Sequence, residues 1–290
     1  MEKLREGGVY TGTVEGYSSE GLGIVRLDGA VVFVPRAVRG ETVDLRITKV
    51  MKTAAAGEIV KIHRPSPERT APECPYYGRC GGCDFQHLTY TEELWAKRKR
   101  VQDALTRIGG TDLQVEEILG AKNPTHYRNK SQYPVGADGS IGFFQARSHR
   151  VVPIERCLIQ SETADRIAAV VRSWMQEFDV PPYDYGANRG AVRHIYVRVG
   201  EKSGESQLTL ITATRKMPAL EVLVSRLRES EPALTGILLN HNQRGDNVIL
   251  GDRTDVLWGE AMLEDRLCGH SFLLSPEAFY QVNHAQAERL

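Results

Sequence analysis

Long apolar runs are what this 290-residue chain lacks most plainly. None approaches the roughly 18 residues that a membrane span requires, which excludes a helical membrane protein. The first six residues, Met1-Glu2-Lys3-Leu4-Arg5-Glu6, carry no apolar stretch of the kind that heads a signal peptide. The expected location is therefore cytoplasmic. Net charge is also missing, since 37 Lys and Arg face 37 Asp and Glu. That balance argues against a uniformly basic nucleic-acid coat but leaves room for a local patch. Cysteine is scarce, with five residues, too few for a disulfide-dense scaffold in a chain of this size. No internal repeat and no low-complexity segment is present. What is there, 41% hydrophobic and 26% charged residues, is an ordinary globular composition. The length suits one large domain or two to three small ones at about 100–200 residues each.

Residues 1–63 read as five short strands rich in Val, Ile and Thr, at 9–14, 23–27, 30–34, 42–50 and 58–62. Asp28-Gly29 between two apolar runs marks a tight hairpin. Five short strands in so few residues suit a small closed barrel of the oligonucleotide-binding kind. Residues 64–73 include Pro65, Pro67 and Pro72, which oppose both helix and central strand and predict a linker.

Beyond the linker, the pattern predicts an α+β region over 74–265. A helix is expected from Thr91 to Ile108, with Thr91 as its N-cap and Leu94, Val101, Leu105 and Ile108 as its buried stripe. A second is expected from Ser161 to Phe178, stopped by Pro181-Pro182. Its face is Ala164, Ile167, Ala168, Val171, Met175 and Phe178. Residues 191–199 and 207–212 alternate as in a half-buried antiparallel pair. Short strands are expected at 236–239 and 247–250, with a helix over 219–227.

Three of the five cysteines, Cys74, Cys80 and Cys83, are spaced C-x5-C-x2-C among glycines. Short glycine-containing loops let thiolates converge on one centre. Cys157, far downstream, could complete a set of four, which suits a structural zinc or an iron–sulfur cluster. Zinc sites usually come as two close pairs, so the three-plus-one spacing favours a four-iron, four-sulfur cluster. Thiols that merely pack are the bland alternative, stronger for Cys157 than for the other three. Cys268 is expected to be a small core residue.

Charge is uneven: residues 121–156 hold six Lys or Arg against two Asp or Glu, whereas the C-terminal part is acidic. The basic run Lys97-Arg98-Lys99-Arg100 spreads around a helix at about 100° per residue, so a solvated surface is its first reading. Tyr127-Arg128-Asn129-Lys130 and the stretch from Gly142 to Arg150, with Phe143 and Arg147, interleave cations with aromatics. That mixture can bind phosphates and stack on unpaired bases, although an amphipathic strand with exposed charges fits equally. No histidine pairs at ligand spacing, and none is assigned to catalysis.

Taken in order, these features resemble the bacterial RNA uracil-5-methyltransferases that make 5-methyluridine, including the 23S ribosomal RNA enzymes. The resemblance rests on Gly21-Leu22-Gly23-Ile24-Val25 in a barrel similar to a TRAM domain, on Cys74, Cys80 and Cys83 with Glu155-Arg156-Cys157, and on Tyr127-Arg128-Asn129-Lys130. The Gly142–Val152 stretch and Phe272-Leu273-Leu274-Ser275-Pro276-Glu277-Ala278-Phe279-Tyr280-Gln281-Val282-Asn283 complete it. It implies a TRAM-like RNA-binding barrel at 1–63, a linker at 64–73, and a central cluster-bearing domain at 74–265. Residues 266–290 then begin a class I α/β methyltransferase domain that uses S-adenosylmethionine.

The family's chemistry adds a cysteine thiolate to C6 of uracil, so that C5 attacks the cofactor's methyl group. A carboxylate then removes the C5 proton. By resemblance, Cys74, Cys80, Cys83 and Cys157 hold a 4Fe-4S cluster, and Gln281 contacts S-adenosylmethionine. Tyr127, Arg128, Lys130, Phe143 and Arg147 would meet the RNA, with 23S rRNA the expected partner and no membrane involved. The family's glycine turn, nucleophilic cysteine and base match no residue here, and the sequence stops at Leu290. No catalytic residue is assigned. The expectation is a chain that binds RNA and does not methylate it alone. A stand-alone RNA-binding iron–sulfur or zinc protein is the main alternative. A radical methylthiotransferase would need C-x3-C-x2-C and a C-terminal barrel, and a ferredoxin-like carrier would need neither barrel nor basic stretch.

Overall fold

Alternating β-branched residues and tight turns build the first of two units into which the chain divides. The computed structural model describes residues 4–290, so the first three residues of the expected 1–63 barrel lie outside the described residues. The first unit runs to Gly78 and includes Cys83–Gly120; the second comprises Arg79–Gly82 and Ala121–Leu290.

Strands β1 (Val9–Tyr17), β2 (Gly23–Leu27), β3 (Ala30–Val34), β4 (Thr42–Val50) and β5 (Ala54–Arg64) close a barrel in the order β1-β2-β3-β5-β4. Period-two alternation sends Val14, Val25, Val32, Val43, Leu45 and Ile47 into one core. Asp28 (φ 47°) and Gly29 (φ 84°) turn the β2–β3 hairpin, the two-residue geometry that Asp-Gly favours. Strand β5 begins four residues before its expected start because the alanines at 54–56 pair in parallel with β3. Tertiary pairing there overrides weak strand propensity.

The Pro-rich stretch 64–73 does not separate the two units; it lies in the first. Arg69 forks onto the buried Glu41 carboxylate, Nε to Oε1 at 2.6 Å and Nη2 to Oε2 at 2.8 Å. Burial opposes ionisation of Glu41, yet Arg69 and the N–H groups of Val38 and Ser66 hold its pKa below the usual carboxylate range.

Helix α1 (Tyr90–Arg107) is capped by Thr89, whose Oγ1 accepts from Glu92 N at 3.3 Å, two residues ahead of the expected Thr91 cap. The expected apolar stripe is not its anchor, since Val101 is 51% and Ile108 88% exposed. The first two turns attach the helix instead. Arg39 donates twice to buried Glu92, at 2.8 Å each, and lies 3.9 Å over the Trp95 ring. Lys97 and Lys99 pair with Glu93 and Asp103, as befits a solvated face.

The second unit contains β6 (Lys130–Pro134), β7 (Gly142–Phe144), β8 (Val151–Pro153), α2 (Glu162–Glu177), β9 (Val192–Val199) and β10 (Ser206–Thr212). It continues with α3 (Leu220–Ser230), β11 (Leu234–His241), β12 (Arg253–Gly259), β13 (Leu263–Leu267), β14 (His270–Leu274) and α4 (His284–Ala287). Its main sheet has the order β12-β11-β10-β9-β6; β10 and β11 run parallel across α3 and the other neighbours are antiparallel. Ile167, Val171 and Trp174 of α2 pack with Ile195, Leu208 and Ile237 of the sheet. The face expected for α2 is the one it buries.

Three expectations are corrected here. Strands β9 and β10 are buried on both faces rather than half-buried. Later segments cover the far face: Tyr196 Oη donates to Pro276 O at 2.9 Å and Gln207 Nε2 to Glu260 O at 3.3 Å. Residues 247–250 form a loop, because Asn242 Nδ2 takes the carbonyls of Val248 and Ile249 at 2.6 and 2.8 Å. Cys268 is exposed, at φ 51° beside Gly269 (φ 81°) in the β13–β14 turn. A turn that requires positive φ at both residues places it outside any core. Residue 266, the expected start of a further domain, lies within β13. Among the described residues, no helix is long and apolar enough to cross a membrane.

Candidate functional site

The basic stretch found in the sequence runs into the edge strand of the second unit's sheet. Lys130 opens β6 and lies opposite Arg198 of β9 in the register. Arg128 precedes it in isolated bridges to Gln160 and Asn283. Three cations are thus gathered, and burial first, then Arg198 and Arg128, push the Lys130 pKa down. Arg198 is buried and donates through Nη2 to the carbonyls of Ala278 and Pro276. The Nε atoms of Arg128 and Arg198 are buried without a hydrogen-bond partner. Unsatisfied donors beside a depressed lysine are the electrostatics of a place that favours an anion.

Arg198 escaped the sequence reading because β9 was taken as an alternating half-buried pair. Its signal was there: two arginines in Val192-Arg193-His194-Ile195-Tyr196-Val197-Arg198 are costly to bury unless they are used.

The same edge holds the segment that carries Gln281. Asn129 N donates to Val282 O at 3.1 Å, and Asn129 Nδ2 to Gln281 O at 2.9 Å. Gln281 is exposed, with its backbone tied beside Arg128 and Lys130. The structure therefore brings together Arg128, Lys130 and Gln281, which sequence reasoning had placed in different tasks. Tyr127 is half-buried next to them.

Phe143 and Arg147 sit on the β7–β8 hairpin. Phe143 is half-buried, its ring 5.0 Å from that of Tyr133 and packed against the main core. It props the hairpin rather than standing free for stacking. Arg147 is exposed at the turn, at φ 57°.

The cysteines are divided between the units, Cys74 and Cys83 in the first, Cys80 and Cys157 in the second. Cys74 N donates to Gln86 Oε1 at 3.3 Å. Nearby, Tyr77 Oη donates to Asp84 O and contacts His87 Nδ1, both at 2.6 Å. Burial lowers the pKa of His87 to about 4. Cys80 bridges Gln145, beside the 2.9 Å bond from Gly81 N to Phe144 O. Cys157 is buried; its N–H donates to Asp165 Oδ2 at 2.8 Å, and Asp165 Oδ1 accepts from Tyr133 Oη at 2.7 Å. Burial raises the Asp165 pKa against both hydrogen bonds. Among the described residues, no three His, Cys, Asp or Glu side chains are grouped to hold a metal ion. The arrangement does not assemble the cluster expected from the spacing, and no chemistry is derived through it.

Residues 3–60 match the TRAM domain family. Along 99% of its length the chain is 38% identical to a protein of Clostridium tetani named as an uncharacterized RNA methyltransferase, spanning 63% of that protein. It is 38% identical over its whole length to a like-named protein of Clostridium acetobutylicum, spanning 65% of it. The chain thus covers a little under two thirds of the length of these relatives. Among solved structures, it shares its fold with the Pyrococcus abyssi tRNA (uracil-54, C5)-methyltransferase in complex with S-adenosyl-L-homocysteine. The TM-score is 0.73 at 24% identity, over 96% of this chain and 63% of that one. The chain carries a TRAM domain and is related along its length to proteins named RNA methyltransferases.

Proposed function

We propose that this chain serves the S-adenosylmethionine-dependent methylation of uridine C5 in RNA, with 23S rRNA as the substrate, and that its own residues supply the RNA binding. The observation that carries the proposal is a TRAM-matching closed barrel in a chain related throughout to proteins named RNA methyltransferases. The name of the Pyrococcus protein supports uracil C5 as the position modified.

In this reading Arg128, Lys130 and Arg147 meet phosphates and Tyr127 stacks on an unpaired base, while Phe143 holds the hairpin that presents Arg147. S-adenosylmethionine supplies the methyl group, and Gln281 is the one contact assigned to it here. The Cys74, Cys80, Cys83 and Cys157 set enters as a cluster ligand set on its spacing alone. No catalytic residue is assigned, so methyl transfer by these 290 residues alone is expected to be absent.

The test is fluorescence anisotropy with a labelled single-stranded RNA, followed by competition with 23S rRNA and with tRNA. Binding that falls steeply with salt, weakened by Arg128→Ala and Arg147→Ala and displaced preferentially by 23S rRNA, is the expected result. Absence of RNA binding overturns the proposal, and preferential displacement by tRNA overturns the choice of rRNA. Nucleoside digestion after incubation with S-adenosylmethionine should yield no new 5-methyluridine. For the cluster, anaerobic purification with iron analysis should find iron that Cys80→Ser loses; a colourless protein carrying zinc contradicts it.

A further inference from the structure

A cleft of about 720 Å³ opens in the second unit, lined by residues that follow β10 (Thr214, Arg215, Lys216) and β11 (His241, Asn242, Gln243, Arg244) and by residues 251–253. These are the carboxyl ends of the sheet's one parallel pair. Loops diverge at that edge of an α/β unit and commonly leave a crevice for ligands.

The wall of the cleft is held in one shape by three buried polar side chains. Arg193, 1% exposed, donates through Nη1 to the carbonyls of Asn242 at 2.8 Å and Arg244 at 2.7 Å. Its guanidinium lies 4.5 and 4.9 Å from the rings of Tyr183 and Tyr185. Asn242 Nδ2 donates to the carbonyls of Val248 and Ile249, while its Oδ1 accepts from Arg244 N at 2.9 Å. Asn240 clamps Gly251 from both sides, Oδ1 accepting from its N–H at 2.7 Å and Nδ2 donating to its carbonyl at 3.0 Å. A side chain at residue 251 would place its Cβ 1.7 Å from His241 O, so only glycine fits. A loop fixed in this way has little ordering entropy left to lose when a ligand binds.

The charges on this wall are unequal in availability. Arg244 is paired with Asp246 at 2.7 Å and Arg253 with Asp255 at 2.9 Å. Arg215 and Lys216 are exposed, and neither makes an ion pair among the described residues. His241 lines the same cleft with its side chain 11% exposed, and its Nε2 has no hydrogen-bond partner. No aromatic ring lines the cleft. A site with cations, an unused imidazole nitrogen and no stacking surface recognises a phosphate backbone rather than a base.

We propose that this cleft is a separate binding site for the phosphodiester backbone of RNA, with Arg215 and Lys216 as its phosphate contacts and His241 Nε2 as a neutral hydrogen-bonding group beside them. Arg193, Asn240 and Asn242 are positioning residues that hold its wall. The inference rests on the RNA-binding reading above and adds a second contact region to it, distinct from the Arg128–Lys130 edge and sequence-neutral.

The test measures anisotropy of a labelled 20-nucleotide single-stranded RNA at several KCl concentrations with the full 290-residue chain. Two exposed phosphate contacts on a single strand contribute about 1.4 to the slope of log K against log salt. The double variant Arg215→Ala/Lys216→Ala should lose that increment and bind on the order of twentyfold more weakly at 0.1 M salt. Its melting temperature should be unchanged, both side chains being exposed. A control that removes two cations elsewhere, Lys97→Ala/Lys99→Ala, should stay close to wild type. Wild-type affinity and slope in the Arg215/Lys216 variant, with RNA still bound, overturn the cleft and leave the RNA reading standing. No RNA binding by the wild type overturns both. Displacement of the RNA by 10 mM inorganic phosphate at constant ionic strength would identify a free-phosphate site and overturn the polymer assignment; retention of the RNA supports it.

Discussion

The barrel and the five-stranded sheet are both built on a buried core, yet they bury different things. The barrel core is made of Val14, Val25, Val32, Val43, Leu45 and Ile47, and few polar groups join it. The sheet buries Arg193, His194, Arg198, Gln207, Thr209, Asn240 and Asn242, several with polar atoms left unbonded. An apolar core costs little to specify, whereas a buried cation or amide is stabilised only when its partners are in place. The barrel is a scaffold with function outside its core; the sheet spends its interior on holding loops and cations in set positions.

The largest effect that would sharpen this contrast is expected from Leu45→Ala, a cavity in a close-packed barrel. It should cost about 2–5 kcal/mol, read as a fall in the denaturant midpoint. A loss below 1 kcal/mol would mean that the barrel is not the close-packed element.

Acid should distinguish the two units next. In the first, burial depresses the His87 pKa to about 4, and Glu41 is held below the usual carboxylate range. A depressed histidine binds fewer protons folded than unfolded, so stability falls as pH drops from about 6.5 toward 4, by about 1.4 kcal/mol per pH unit at most. A depressed carboxylate is stabilising above its unfolded pKa, and that contribution fades as pH falls through the lower folded value. Both act in one direction. In the second unit His194 is likewise depressed to about 4 by burial, but Asp165 is raised. A raised carboxylate favours the folded state as pH falls, opposing the histidine. Hydrogen exchange at pH 6.5 and 4.5 should show β1–β5 losing protection more than β9–β11. Equal loss would remove this distinction.

Arg193→Met should cost less, about 1–3 kcal/mol, by leaving the Asn242 and Arg244 carbonyls without their donor. The loss should appear as faster exchange in residues 242–250 with the barrel unaffected; a stability gain would show that the guanidinium is not holding the loop. The smallest effect is expected at Lys97→Ala, an exposed i,i+4 pair worth about 0.3–0.5 kcal/mol. A larger change there would deny that the Lys97–Arg100 run is a solvated face.

The same contrast governs what could be read from the sequence. Strands β2, β3 and β4 lie within their expected bounds because alternation and Asp28-Gly29 are local signals. Helix α2 is legible for a similar reason, its apolar face recurring at helical spacing. Helix α1 was misread at both its cap and its stripe, since an ion pair from Arg39 and the Trp95 stack hold it, and neither has a period. The polar interior of the sheet was invisible because burial of β9 and β10 on their far face depends on residues 260–280, more than fifty positions away from either strand. For the site, Arg128, Lys130 and Gln281 were legible as residues but not as neighbours. Arg198, Arg215, Lys216 and His241 come together only through the register of β6 with β9 and of β10 with β11. The four cysteines were legible as a spacing, and no grouping of three metal-ligating side chains appears among the described residues.

The measurement that bears most directly on the central claim is the affinity of this chain for a uridine-containing single-stranded RNA across a salt series. The account predicts binding whose logarithm falls linearly with log salt, at about 0.7 per phosphate contacted. Losses in slope should be separable at the Arg128 edge and at the Arg215–Lys216 cleft. No binding, or binding indifferent to salt, would contradict it.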